Sequence, residues 1–220
     1  MEILYNDTGT SLWPIAILLS IVTLAVLWRR THNVLFLFFL SIFGAYVLFA
    51  IDKVFFPVEI NGFYVDVMRE EPLMSQINLV PFYFGKYGLT PASFLGIVNN
   101  IILTMPFGFG LNFIARVKTK KITFLAFALG VGLETAQLIF SIILGYPYRT
   151  IDINDAIFNA TGVLLGYAFF KVFALLYLAA TKKFALKHEN VAAYIYDIAN
   201  QAQITDKVKN PNQEIPTHSL

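Results

Sequence analysis

Five stretches of the chain stay apolar for about 20 residues each, the length a helix needs to cross the roughly 30 Å hydrocarbon core of a bilayer. They run from about Leu12 to Trp28, Val34 to Ile51, Ser93 to Ala115, Ile122 to Leu144 and Asp155 to Ala180. The chain is 57% hydrophobic and 14% charged, whereas a soluble domain is roughly half apolar and a quarter charged. That shift marks a lipid-solvated chain. Trp13 and Trp28 fall near the two ends of the first stretch, where interfacial aromatics settle. This stretch is expected to be a retained helix. Glu2 and Asp7 stand where a signal peptide would be basic, and no A-x-A site follows.

Basic residues in the short connections set the expected orientation. Arg29 and Arg30 follow the first span, Arg116, Lys118, Lys120 and Lys121 join the third to the fourth, and Lys182, Lys183 and Lys187 follow the fifth. The alternate connections hold Lys53, Arg69 and Lys86 in a long loop, and Arg149 alone in 145–154. The expectation is an all-α membrane protein, a five-transmembrane-helix bundle with the N-terminus outside and the C-terminus inside. Its parts are two N-terminal helices over 1–51, an extracytoplasmic loop over 52–92, a three-helix core over 93–180 and a cytoplasmic polar tail over 181–220. Asn61-Gly62 between the β-prone runs of Val58–Val65 predicts a β-hairpin in the long loop. In the tail an amphipathic helix is expected over Val191–Ala202, and Lys209-Asn-Pro-Asn-Gln-Glu-Ile-Pro reads as disordered. Lys171 is expected to snorkel towards the inner headgroups.

The absence of cysteine removes disulfides, zinc-thiolate sites and cysteine nucleophiles. His32, His188 and His218 all fall on the expected cytoplasmic side, so no Ser-His pair supports nucleophilic hydrolysis. Nothing points to nucleic acid.

Charged groups inside a span cost about 2.5–3.5 kcal/mol on insertion scales and face the bundle interior or a cavity. Glu134 is the clearest case, at a depth roughly 18 Å above the inner boundary by the helical rise. Gln137 follows on the same face. Asp152, Asp155, Asn159, Gly162 and Gly166 are spaced 3, 4, 3 and 4, which stacks them along one side of the fifth span. Gly162-x-x-x-Gly166 permits close approach of a neighbouring backbone. The third span adds Gly96, Asn100, Thr104, Gly108 and Asn112 at i+4 steps, with Asn99 alongside, and Pro106 interrupts its hydrogen bonding. Glu134, Gln137, Asn159 and Asn100 fall at similar depths, with Arg149, Asp152 and Asp155 just above. One pocket near the non-cytoplasmic face is the simplest arrangement. The plainer alternative for the carboxamides and glycines is packing. For Arg149 it is an ion pair with Asp152 or Asp155 that fixes the loop, and for Glu134 a structural carboxylate.

Taken together these residues resemble the VanZ-like family of bacterial membrane proteins. The resemblance runs from about Asn78 to Phe170. It is carried by Asn78-Leu-Val-Pro81-Phe82, Asn100 with Pro106 and Gly108, Glu134-x-x-Gln137, Arg149-x-x-Asp152-x-x-Asp155, Asn159 and Gly162. Thr104 departs from it, since family members more usually carry an aromatic there. The resemblance implies a multi-pass protein of the bacterial cytoplasmic membrane, associated with resistance to teicoplanin-type glycopeptides. It also places Asn78 among the binding residues.

Several functions fit this pattern. In an enzyme acting on a lipid or lipid-linked cell-wall precursor, Glu134 would be the general acid/base. Arg149 would grip an anionic phosphate or carboxylate, and Asp152 and Asp155 would position Arg149. No cofactor is expected. A divalent cation held by these carboxylates is conceivable, but the spacing is not diagnostic. In a non-catalytic binder the same pocket would hold a precursor headgroup or a lipoglycopeptide. A transporter lacks support from any repeat or broken-helix pair.

Overall fold

The computed structural model describes residues 13–59, 61–115, 117–185 and 189–207. Arg116, Lys187, His188, His218 and the predicted disordered end lie outside them. Among the described residues there are seven α-helices: α1 (Trp13–Thr31), α2 (Val34–Phe55), α3 (Phe63–Glu70), α4 (Pro91–Ile114), α5 (Thr119–Leu144), α6 (Ile153–Phe184) and α7 (Val191–Lys207). Among the described residues α2, α4, α5 and α6 are long and apolar enough to cross a membrane. A bilayer offers no water to backbone N–H and C=O groups, so such segments must satisfy them internally as helices. The first expected span overlaps α1, which is not among these four.

Local chemistry sets the helix ends. The Asn33 side chain accepts from Phe36 N at 2.9 Å to start α2, and Thr90 accepts from Ser93 N at 3.1 Å, just before Pro91, to start α4. Each satisfies an N–H that the first helical turn leaves open. Gly145, at φ 74°, closes α5 in the left-handed conformation that glycine adopts without penalty.

Helix α6 is the axis of the bundle, packed against both α4 and α5. Small residues make this possible. A Cβ on Gly108 would run into the Val163 carbonyl, one on Gly166 into the Met105 carbonyl, and one on Gly130 into the Ala156 carbonyl. Thr104 belongs to the same seam. It is 3% exposed, and its hydroxyl lies 2.8 Å from the carbonyls of both Asn100 and Asn159. A Cβ on Gly162 would strike that hydroxyl, so a small side chain at 104 and glycine at 162 are matched.

At one end of the bundle, Phe39, Phe109, Phe113, Phe170 and Phe173 pack into an aromatic core. Helix α7 folds back onto it through Tyr194, stacked 5.2 Å from Phe39 and donating to the Phe113 carbonyl at 2.7 Å. Lys171, expected to reach for headgroups, instead donates to the Ala202 carbonyl of α7 at 2.6 Å.

The expected hairpin over Val58–Val65 is not formed. Residues from Phe63 onward are helix α3, and Gly62 precedes it at φ 105°. Helical spacing turns Val65 (0% exposed) and Met68 onto Tyr146 and Tyr148, and that burial outweighs the local Asn-Gly turn preference. The strand pairing lies elsewhere. β1 (Ile77–Asn78) and β2 (Ile151–Asp152) run parallel, with Asn78 opposite Asp152.

Candidate functional site

At the opposite end from the aromatic core, the helices enclose a cavity of about 900 Å³. Tyr46 and Lys53 of α2, Asn99 and Asn100 of α4, Glu134 and Gln137 of α5, and Asp155 and Asn159 of α6 line it. Tyr64 and Met68 of α3 and the segment Pro147–Thr150 complete the wall. Pro106, also in the wall, has no N–H to give the Ile102 carbonyl one turn earlier.

The polar groups are held by a two-strand clamp. Pairing of β1 with β2 sets Asp152 at the head of α6, where its Oδ1 accepts from Asn154 N at 2.8 Å as the helix cap. The same oxygen accepts from Asn78 Nδ2 at 2.9 Å. The Asp152 N–H donates to Glu134 Oε2 at 2.9 Å, which fixes the carboxylate of a side chain only 7% exposed. Asp152 and Asn78 therefore stand behind the cavity wall. Asn154, 2% exposed, accepts from Phe82 N at 2.6 Å and donates to the Tyr83 carbonyl at 2.9 Å, pinning the 78–83 loop to α6.

Asp155 faces the cavity beside Glu134, with the Asn100 side chain as its polar neighbour. Gln137 Nε2 donates to the Val54 carbonyl at 3.4 Å. Tyr46 donates to the Leu103 carbonyl at 2.8 Å. Asn159 Oδ1 and the Tyr148 hydroxyl are buried without a hydrogen-bond partner among the described residues, which costs about 1–3 kcal/mol for each such group. Burial pushes the Tyr148 phenol up, and the nearby Arg149 guanidinium pulls it partly back. Arg149 is half-buried and donates to the Phe56 carbonyl at 3.5 Å. The plainer alternative of an ion pair with Asp152 or Asp155 is not realised: among the described residues the one ion pair joins Lys53 and Asp52 at 4.0 Å. No group of three or more His, Cys, Asp or Glu side chains among them is arranged to hold a metal ion.

The family model for VanZ/LLP1 matches residues 43–175. The chain belongs to the VanZ/LLP1 family. No curated protein and no solved structure matches it. Every residue lining the cavity lies within the matched stretch. Together with the four membrane-length apolar helices, VanZ/LLP1 membership identifies a membrane protein.

The cavity thus gathers Asn100, Glu134, Gln137, Arg149, Asp155 and Asn159, with Asn78 and Asp152 one layer out. Sequence reasoning had passed over Tyr46, Tyr148 and Asn154. Tyr46 is one of two hydroxyl-bearing residues, with Ser41, in an otherwise Phe- and aliphatic-rich span. Asn154 was hidden by its neighbours Asp152 and Asp155.

Proposed function

We propose that the cavity binds the anionic headgroup of a lipid, lipid-linked cell-wall precursor or lipidated glycopeptide, and that the protein thereby contributes to teicoplanin-type resistance. In this role it spans the bacterial cytoplasmic membrane five times, with α1 as the first span. The cavity opens to the non-cytoplasmic side, where such molecules are presented. The Lys/Arg distribution supports that orientation. Arg29 and Arg30 end α1, Lys118, Lys120 and Lys121 begin α5, and Lys182 and Lys183 end α6.

The observation that carries the proposal is Arg149. A guanidinium at the cavity wall, with no carboxylate in ion-pair range among the described residues and one long bond to the Phe56 carbonyl, has donors of its planar fork to offer a phosphate or carboxylate. Asp152 and Asn78 act as positioning residues in this scheme. They hold Glu134 and the β1–β2 clamp rather than touch the ligand. Asn159 Oδ1 and the Tyr148 hydroxyl are spare polar groups in the walls that a small adjustment would let a headgroup engage.

A catalytic version has its own supporting observation. Glu134 is a buried carboxylate with one oxygen anchored by a backbone N–H, an arrangement suited to a general acid/base held in place. The two versions separate on Glu134→Gln, since the amide can still accept from the Asp152 N–H but cannot transfer a proton. Lipid and wall-precursor profiles would be compared between membranes with and without the protein, alongside teicoplanin susceptibility. Binding alone predicts unchanged profiles with protection that follows ligand affinity. Catalysis predicts an altered species that disappears in Glu134→Gln. Unchanged susceptibility and profiles on deleting the protein would end both versions.

A further inference from the structure

The polar cavity has an apolar annex. A second void of about 110 Å³ is walled by Val47, Ala50 and Ile51 of α2, Phe107 of α4 and Leu129 of α5. Tyr46, Val54, Leu103 and Leu133 line both spaces, so the two adjoin. The polar side chains on the annex are already occupied. Tyr46 donates to Leu103, and Thr104 faces the Asn100 and Asn159 carbonyls. What remains is hydrocarbon.

The position of this cleft matters as much as its lining. Helix α2 is joined to α5 at its last turns, by the 3.4 Å bond from Gln137 to Val54 and by Phe55 against Phe140, ring centroids 5.4 Å apart. Below those contacts the cleft lies between the two helices and is floored by α4. The cleft is open at Ile51, which is 43% exposed, and apolar walls left without partner atoms forfeit dispersion contacts. For a helix bundle solvated by lipid, the filler at hand is a hydrocarbon chain. A polar chamber and an apolar cleft with common walls have the shape of one amphiphile.

We propose that the ligand is a lipid of the surrounding leaflet that enters sideways between α2 and α5, resting its hydrocarbon chain in this cleft and its anionic headgroup at Arg149. The headgroup end rests on the function proposed above, while the chain site and the route of entry do not. The Gln137–Val54 bond is near the upper limit of hydrogen-bond length, so the joint that must part for entry is the weak one. Tyr46 marks the boundary, since it lines both spaces.

The test uses the full-length protein in its own membranes, with photoreactive benzoyl-phenylalanine in place of Ile51 in the cleft. In a parallel sample it replaces Ile42, which is 54% exposed on the same helix and lines neither space. After illumination, the mass of the protein–lipid adduct identifies the captured lipid. The Ile51 probe is expected to capture one enriched class of phosphate-bearing lipid and the Ile42 probe the bulk mixture. Ala50→Leu, which fills the cleft, should lower the Ile51 adduct about tenfold, while Ala45→Leu on the exposed side of α2 leaves it unchanged. The same lipid mixture at both probes would overturn the proposal. So would an adduct at Ile51 that appears only when a lipoglycopeptide is added. If Ala50→Leu proves unstable in a thermal-shift control, the comparison of the two probes decides alone. Arg149→Ala separates the two ends of the ligand. Loss of headgroup selectivity with the chain still captured supports both, whereas an unchanged selective adduct would refute the headgroup assignment and leave the chain site standing.

Discussion

The two ends of this helix bundle use the same helices in opposite ways. At the α7 end, phenylalanines from α2, α4 and α6 interdigitate, with Phe39 stacked 5.0 Å from Phe113 and Phe113 edge-on to Phe170 at 5.7 Å. At the other end, α2, α4, α5 and α6 leave about 900 Å³ open and line it with carboxylates and carboxamides, to which the Pro147–Thr150 segment adds the Arg149 guanidinium. Filling the second end would have been straightforward with the residues used at the first. The contrast teaches that the cavity is not a by-product of loose packing. It is bounded below by a glycine seam close enough for backbone contact, and above by a hydrogen-bonded clamp of two short strands.

That contrast can be broken by substitution, and the largest effect should come from the closed end. Phe113→Ala removes a ring from the aromatic core and should cost about 3–5 kcal/mol, seen as a large fall in the thermal midpoint of purified protein. Whatever remains folded should bind its ligand normally. Asn154→Ala should cost less, about 1–3 kcal/mol for the polar groups it strands. Unlike the core substitution, it should also abolish ligand retention, because the 78–83 loop and the clamp behind Glu134 lose their pin. If Asn154→Ala behaved as Phe113→Ala does, with stability lost and binding kept, the clamp would have no part in the site.

Much of this division was legible from the amino-acid order. Glu134, Gln137, Asn100 and Asn159 could be brought to one depth because helical rise and period are fixed. The glycines at 162 and 166 announced a close approach for the same reason. The other half of the cavity was not legible. Tyr46 and Lys53 reach it from α2, and a helix that is apolar all round does not reveal which neighbour it packs against. Parallel pairing of Ile77–Asn78 with Ile151–Asp152 joins two pairs of residues far apart in sequence, with no local signal. The Asn61-Gly62 hairpin failed because burial of Val65 and Met68 on Tyr146 and Tyr148 is a tertiary gain that turn chemistry cannot register. The alternative that paired Arg149 with a nearby aspartate rested on proximity in sequence, yet Asp152 is spent on capping α6 and bonding Asn78.

Smaller effects sharpen the comparison. Tyr46→Phe removes one hydroxyl bond to the Leu103 carbonyl and should cost about 1 kcal/mol, a shift of a few degrees in the same thermal assay. The ring that forms the boundary between chamber and cleft is kept. Arg149→Lys should leave the midpoint where it is, since the guanidinium makes only a 3.5 Å bond to Phe56. Ligand affinity should fall about tenfold, as a point charge replaces a bidentate fork.

The most direct measurement of the central claim is the inventory of amphiphiles that stay with the purified full-length protein, read by native mass spectrometry for wild type and Arg149→Ala. Wild type should retain one predominant species with an anionic headgroup, and Arg149→Ala should lose it while remaining folded, with the thermal midpoint of lipid-stripped wild type. Equal retention of that species by both proteins would contradict the assignment of the open end as a headgroup site.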